Sequence, residues 1–136
     1  MAEVREIEAG ERMRIARTVA GELAQHPRVA FAYVYGSFAE ARPFRDIDIG
    51  VYCSGTDPSP DLAEALAHTL TTALRIPVDV RVVNDAPVSF LFHVLRGELL
   101  FSREDELLST VIENTIRRYL DIAPVLRHGA REAFAK

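Results

Sequence analysis

Cys53 is the only cysteine in the chain. This excludes an internal disulfide, and a lone thiol at the end of an apolar run is accounted for by packing, so it is given no chemical role. No stretch approaches the roughly 20 consecutive apolar residues needed to span a bilayer. The opening MAEVREIEAGER is charged where a secretory leader needs an apolar run. A cytoplasmic protein without membrane association is expected. Lysine is almost missing: of 16 basic residues against 20 acidic ones, only Lys136 is a lysine. The arginines are scattered among acidic neighbours, and the net charge is −4. Nucleic-acid affinity comes largely from clustered phosphate neutralisation, so direct nucleic-acid binding is not expected. Internal repeats and low-complexity tracts are also lacking, and the one linker-like stretch, Ser54 to Pro60, is too short to separate domains.

What remains is a chain of 136 residues, 49% hydrophobic, long enough to bury one core. It is read as a single domain spanning residues 1–136. Met13, Ala16, Val19, Ala20 and Leu23 fall at helical spacing between about Ala9 and Gln25, before Pro27. Val29 to Tyr35 and Ile47 to Tyr52 are apolar runs of strand length. Leu62, Leu66, Thr69, Leu70 and Ala73 predict a helix over Asp61 to Leu74. Alternation at Val78, Val80 and Val82 predicts a strand. Pro87 to Leu95 suits a short helix and Glu98 to Phe101 a last strand. From Glu104 to Leu120, apolar pairs recur every four residues and predict a helix ending before Pro124, whose stripe covers a core or meets a partner. The fold class is α/β (α+β): a small mixed sheet flanked by helices.

The chemistry concentrates between Tyr35 and Ile49. Ser37 with Glu40 three positions on reads as a capping box, so a short helix is expected to start at Ser37 and to stop by Pro43. Its free N–H groups and positive dipole end would face a phosphate, and Gly36, without a Cβ, would let a ligand approach the backbone. Alone, such a turn is more often an ordinary strand-to-helix junction than a phosphate site. Asp46 and Asp48 stand two apart at the start of a strand, so both carboxylates share a face. Like charges so held call for a cation. Magnesium favours a few carboxylate oxygens plus substrate phosphates, whereas two solvated strand-end aspartates are the plain alternative. Asp79 is a carboxylate in an apolar strand, explained either by metal ligation or by a salt bridge with Arg81. His26, His68, His93 and His128 show no ligand or triad spacing.

Together, Gly36-Ser37, Asp46-Ile47-Asp48 and Asp79 resemble the minimal nucleotidyltransferases of the polymerase-beta superfamily, in particular the MNT-type antitoxins paired with HEPN toxins. The resemblance covers roughly Val29 to Phe101 and implies a polymerase-beta-type nucleotidyltransferase fold. It implies that Asp46, Asp48 and Asp79 are catalytic and hold two Mg2+ ions, with Asp79 facing the acceptor, and that Gly36 and Ser37 grip the β- and γ-phosphates of ATP. The implied reaction is AMP transfer to a hydroxyl, a tyrosine of a HEPN-type toxin, in a homo- or hetero-oligomer. Two departures stand out: Ala41 replaces a common second glycine, and Arg45 replaces a serine before the first aspartate, in a shortened loop. Arg42 and Arg45 are then candidates to supply positive charge to the triphosphate, or solvated loop arginines. The alternatives are an antitoxin that neutralises by binding with little turnover, and a small-molecule nucleotidyltransferase, for which little sequence remains to build a pocket.

Overall fold

The computed structural model describes residues 3–55 and 60–134, with side chains given except at Pro60 and over 126–134. Its elements are α1 (Ala9–Ala24), β1 (Val29–Tyr35), α2 (Gly36–Ala39), β2 (Ile47–Cys53), α3 (Pro60–Leu74), β3 (Val78–Val82), α4 (Val88–Leu95), β4 (Glu98–Ser102) and α5 (Asp105–Phe134). The strands form one sheet in the order β3-β2-β1-β4. β1 runs antiparallel to both neighbours, while β2 and β3 are parallel. This is the mixed sheet with flanking helices expected from the sequence.

The two faces of the sheet are built differently. Val34, Ile47, Ile49, Val51, Val78 and Val80 pack with Ile15, Val19 and Leu23 of α1 and Leu66 and Leu70 of α3, giving an uninterrupted apolar layer. Each such fully buried side chain contributes roughly 1.5–3 kcal/mol of hydrophobic stabilisation. The opposite face carries Phe31, Tyr33 and Tyr35, which meet Leu91 and Val94 of α4 and Leu108 and Val111 of α5. Gly50 lies under α4: a Cβ there would stand 2.7 Å from Val94 Cγ1, so its absence lets the helix settle onto the sheet. Cys53 is buried, and its backbone N–H and C=O are both bonded to the Asn84 side chain at 2.8 Å. Burial pushes its thiol pKa up, in keeping with a packing role.

Two local expectations do not hold. The Ser37–Glu40 capping box does not form. The helix begins at Gly36 with Tyr35 as its N-cap and no side-chain cap, and Glu40 instead pairs with Arg42. Gly36 at φ 76° turns the chain one residue sooner than a serine cap would, and α2 is only one turn long. The last helix, expected to end before Pro124, continues through it to Phe134. Proline removes a bond to the carbonyl of Leu120, which is solvent-exposed, so water can replace that bond. Of the predicted apolar stripe, Leu108, Val111 and Thr115 are buried, whereas Ile116 and Leu120 remain open to solvent. The linker-like stretch falls largely outside the described residues.

Candidate active site

Strand register gathers the predicted aspartates at one end of the second face. Asp48 on β2 lies directly opposite Tyr35 on β1 and directly opposite Asp79 on β3. Residues opposite one another in a ladder share a face, so Tyr35, Asp48 and Asp79 form a row across three strands. Asp46, two residues before Asp48, is exposed at the strand's entry. Ile47 between them is completely buried on the other face, which fixes the orientation of both carboxylates.

The electrostatics record this crowding. The Asp48 pKa is raised, first by burial and then by Asp79 and Asp46, with Arg81 and His93 opposing. Tyr35 beneath it is pushed up to about 12, again by burial first and then by Asp48, with Arg81 lowering and Asp79 raising it. Arg81 Nε donates to Asp79 Oδ2 at 3.2 Å and its guanidinium lies over the Phe90 ring, 5.6 Å from the centroid. The salt bridge with Arg81 weighed from the sequence is therefore present, on the same strand face as the carboxylate row.

Gly36 is the turn on which this arrangement hangs. Its φ of 76° is left-handed, and a Cβ would lie 2.7 Å from Asp48 Oδ2. Ser37, Arg45, Asp46 and Asp48 line one cleft of about 340 Å³, so the predicted nucleotide-binding and metal-binding residues, Gly36 and Asp79 apart, share a cavity. The loop from α2 to β2 is pinned at several points. Phe38 and Phe44 are buried in an edge-to-face contact with centroids 5.0 Å apart. Arg12 of α1 donates to the Phe38 carbonyl and lies over its ring, and Arg5 and Phe44 exchange backbone hydrogen bonds of 2.8 and 3.1 Å.

Ala41 sits in this loop at φ 58°, the left-handed region that favours glycine. Its place as the residue substituting a common glycine thus carries a conformational cost. Ala41→Gly is expected to raise stability by about 0.5–1 kcal/mol, the relieved strain exceeding glycine's extra freedom in the unfolded chain, as a denaturant titration would read.

The donor set suits magnesium in part. Among the described residues, no group of three His, Cys, Asp or Glu side chains is gathered closely enough to hold a metal ion. Asp79 is turned onto Arg81 and Asp46 stands toward solvent. Magnesium is usually held by one or two carboxylates and completed by water and phosphate oxygens, so Asp46 and Asp48 fit it without a closed protein cage.

Sequence reasoning did not single out Tyr35 or His93, or Arg12. His93 lies on α4 with its ring 5.5 Å from Tyr35 in a T-shaped contact. His26 and His68 lie outside the clefts described, and the side chain of His128 is outside the description.

A family model described as polymerase beta, nucleotidyltransferase matches residues 17–106. The chain belongs to this family. The nucleotidyltransferase fold extends over nearly all of it. An MNT antitoxin solved with the tri-AMPylated Shewanella oneidensis HEPN toxin matches with a TM-score of 0.65 at 20% identity, over 91% of this chain and 95% of that one. A toxin–antitoxin complex with AMP-PNP gives a TM-score of 0.66 at 22% identity, over 88% and 94% of the two chains. The MntA–HepT complex gives 0.63 at 20% identity, over 90% and 95%. At these identities the likeness is one of fold. No curated protein matches the chain by sequence.

Proposed function

We propose that this nucleotidyltransferase is a cytoplasmic antitoxin that transfers AMP from ATP, with Mg2+, to a tyrosine hydroxyl of a partner HEPN-type toxin. The observation that carries the reading is the carboxylate row on an open sheet end, Asp48 opposite Asp79 with Asp46 beside it, bordered by the Gly36–Ser37 turn. Its fold relatives are antitoxins of HEPN toxins, one complex holding a tri-AMPylated toxin and another AMP-PNP. Among the described residues no helix is long and apolar enough to cross a membrane.

In such a transfer the acceptor oxygen bonds to the α-phosphorus, the bond from that phosphorus to the bridging oxygen breaks, and pyrophosphate leaves. Asp46 and Asp48 would hold Mg2+, two ions in the family pattern, which when bound neutralises phosphate charge and aligns the attacking and leaving oxygens. Ser37 and Arg45, which line the same cleft as these aspartates, would bind the polyphosphate. Asp79, at the far side of Asp48 from Tyr35, would take the proton of the incoming hydroxyl once released from Arg81. Such catalysis rests on positioning and charge neutralisation, and no cysteine or histidine nucleophile is involved. Exposed Ile116 and Leu120 on α5 offer an apolar contact for the toxin.

The test is to incubate the purified protein with ATP, Mg2+ and a candidate HEPN-type toxin from a neighbouring reading frame, and to measure the intact mass of both chains. A gain of AMP on the toxin is expected. A stable complex with no gain would replace this reading by neutralisation through binding alone, which the Arg81 hold on Asp79 and the strained Ala41 favour.

A further inference from the structure

The Gly36 turn borders a second hollow besides the aspartate cleft. This second cleft, of about 400 Å³, lies where α2 meets the end of α4 and the start of β4. Gly36 and Ala39 line it, together with His93, Arg96, Glu40 and Glu98. Its volume is within the range of roughly 300–1,000 Å³ typical of small-molecule sites.

Resting on the nucleotidyltransferase reading, we infer that this cleft takes the nucleoside of the donor, its base lying against Arg96 and His93 and its exocyclic amine donating to Glu98. Continuity is the first argument. Gly36 is the wall common to this cleft and to the Asp48 carboxylate, and the neighbouring cleft already carries the phosphate donors Ser37 and Arg45 with Asp46 and Asp48. A nucleotide whose phosphates occupy that side has its nucleoside left to place.

Charge is the second argument. With Glu40 taken up by Arg42, Glu98 is left facing Arg96 in this cleft, a balance without the excess of positive charge that a polyphosphate needs and one that accepts a neutral base. Neither Arg96 nor Glu98 takes part in an ion pair among the described residues. Shape is the third. Gly36 and Ala39 leave room for a ring, and the Arg96 guanidinium lies 5.8 Å over the Phe92 ring, which holds it as a plane. Bases of any kind stack on such planes. Discrimination then falls to Glu98, which accepts from the amine of adenine and repels the carbonyl that uracil presents in its place.

The experiment is calorimetric titration of the protein in Mg2+ with ATP, UTP and inorganic tripolyphosphate. All of Arg96, Glu98 and His93 are exposed, so truncation leaves the core unchanged. Wild type is expected to bind ATP more tightly than tripolyphosphate. Arg96→Ala should weaken ATP about tenfold, the scale of one lost stacking contact, with tripolyphosphate unaffected. Glu98→Ala should erase a preference for ATP over UTP. Equal weakening of ATP and tripolyphosphate by Arg96→Ala would give the cleft to the phosphates and overturn the inference, as would no change in either. Wild type binding tripolyphosphate as tightly as ATP would sink the nucleoside cleft alone. Binding of neither would sink the nucleotidyltransferase reading and this one with it.

Discussion

Replacing Asp46 and Asp48 together by asparagine is expected to lower AMP transfer by roughly 10³-fold or more, since metal-assisted charge neutralisation supplies several kcal/mol of transition-state stabilisation. The fold should survive and become more resistant to heat. The raised Asp48 pKa means that the folded protein holds this proton more tightly than the unfolded chain does. The protonated form is therefore the stabilising one. Its contribution is complete at low pH and is lost as pH rises through the folded-state value, leaving at neutral pH a charge that is half-buried and, secondarily, repelled by Asp79 and Asp46. Asparagine keeps the shape and removes that charge. At neutral pH without divalent metal the variant should melt higher than the parent, and the difference should shrink as the pH is lowered into the carboxylate range. Added Mg2+ should raise the melting temperature of the parent and leave the variant unmoved. Thermal melts at two pH values, with and without Mg2+, check each step. A variant that melts lower than the parent at neutral pH would mean that the aspartates hold the fold together, and that the crowding has another compensation.

Much of this site was legible in the sequence because strand periodicity is strict. A spacing of two was enough to put Asp46 and Asp48 on one face once Ile47 had to be buried, and an isolated carboxylate between valines marked Asp79. The neighbours of the site were not legible. Tyr35 meets Asp48, and Asp48 meets Asp79, through the register of β1, β2 and β3. No local pattern states that register. His93 reaches Tyr35 only because α4 crosses the face that Gly50 leaves open. The capping box failed because its two residues satisfied a pattern of spacing while the backbone satisfied a different one. A left-handed Gly36 turned the chain early, and Arg42 captured Glu40. Pro124 misled for a related reason. The rule that proline ends a helix assumes that the lost hydrogen bond is costly, and at the exposed Leu120 water offsets the loss.

Gly36→Ala is expected to lower transfer about 10²-fold with loss of roughly 1–2 kcal/mol of stability, two effects with separable origins. The first origin is conformational: an L-residue at φ 76° is strained whatever surrounds it. The second is local: the new methyl would stand 2.7 Å from Asp48 Oδ2, so the carboxylate must turn off the position set by Tyr35 and Asp79. A displacement of about an ångström in a group that positions the reacting phosphate is worth orders of magnitude in rate. Gly55 separates the two. It too is left-handed, at φ 88°, but nothing lies within 4 Å of where its Cβ would be. Gly55→Ala should therefore show the conformational cost of roughly 1 kcal/mol with no change in transfer. If both variants lose stability and only Gly36→Ala loses activity, the requirement at position 36 is for space beside Asp48. Equal activity in the two variants would mean that Asp48 is free to move, and that its present place is not the one in which it works.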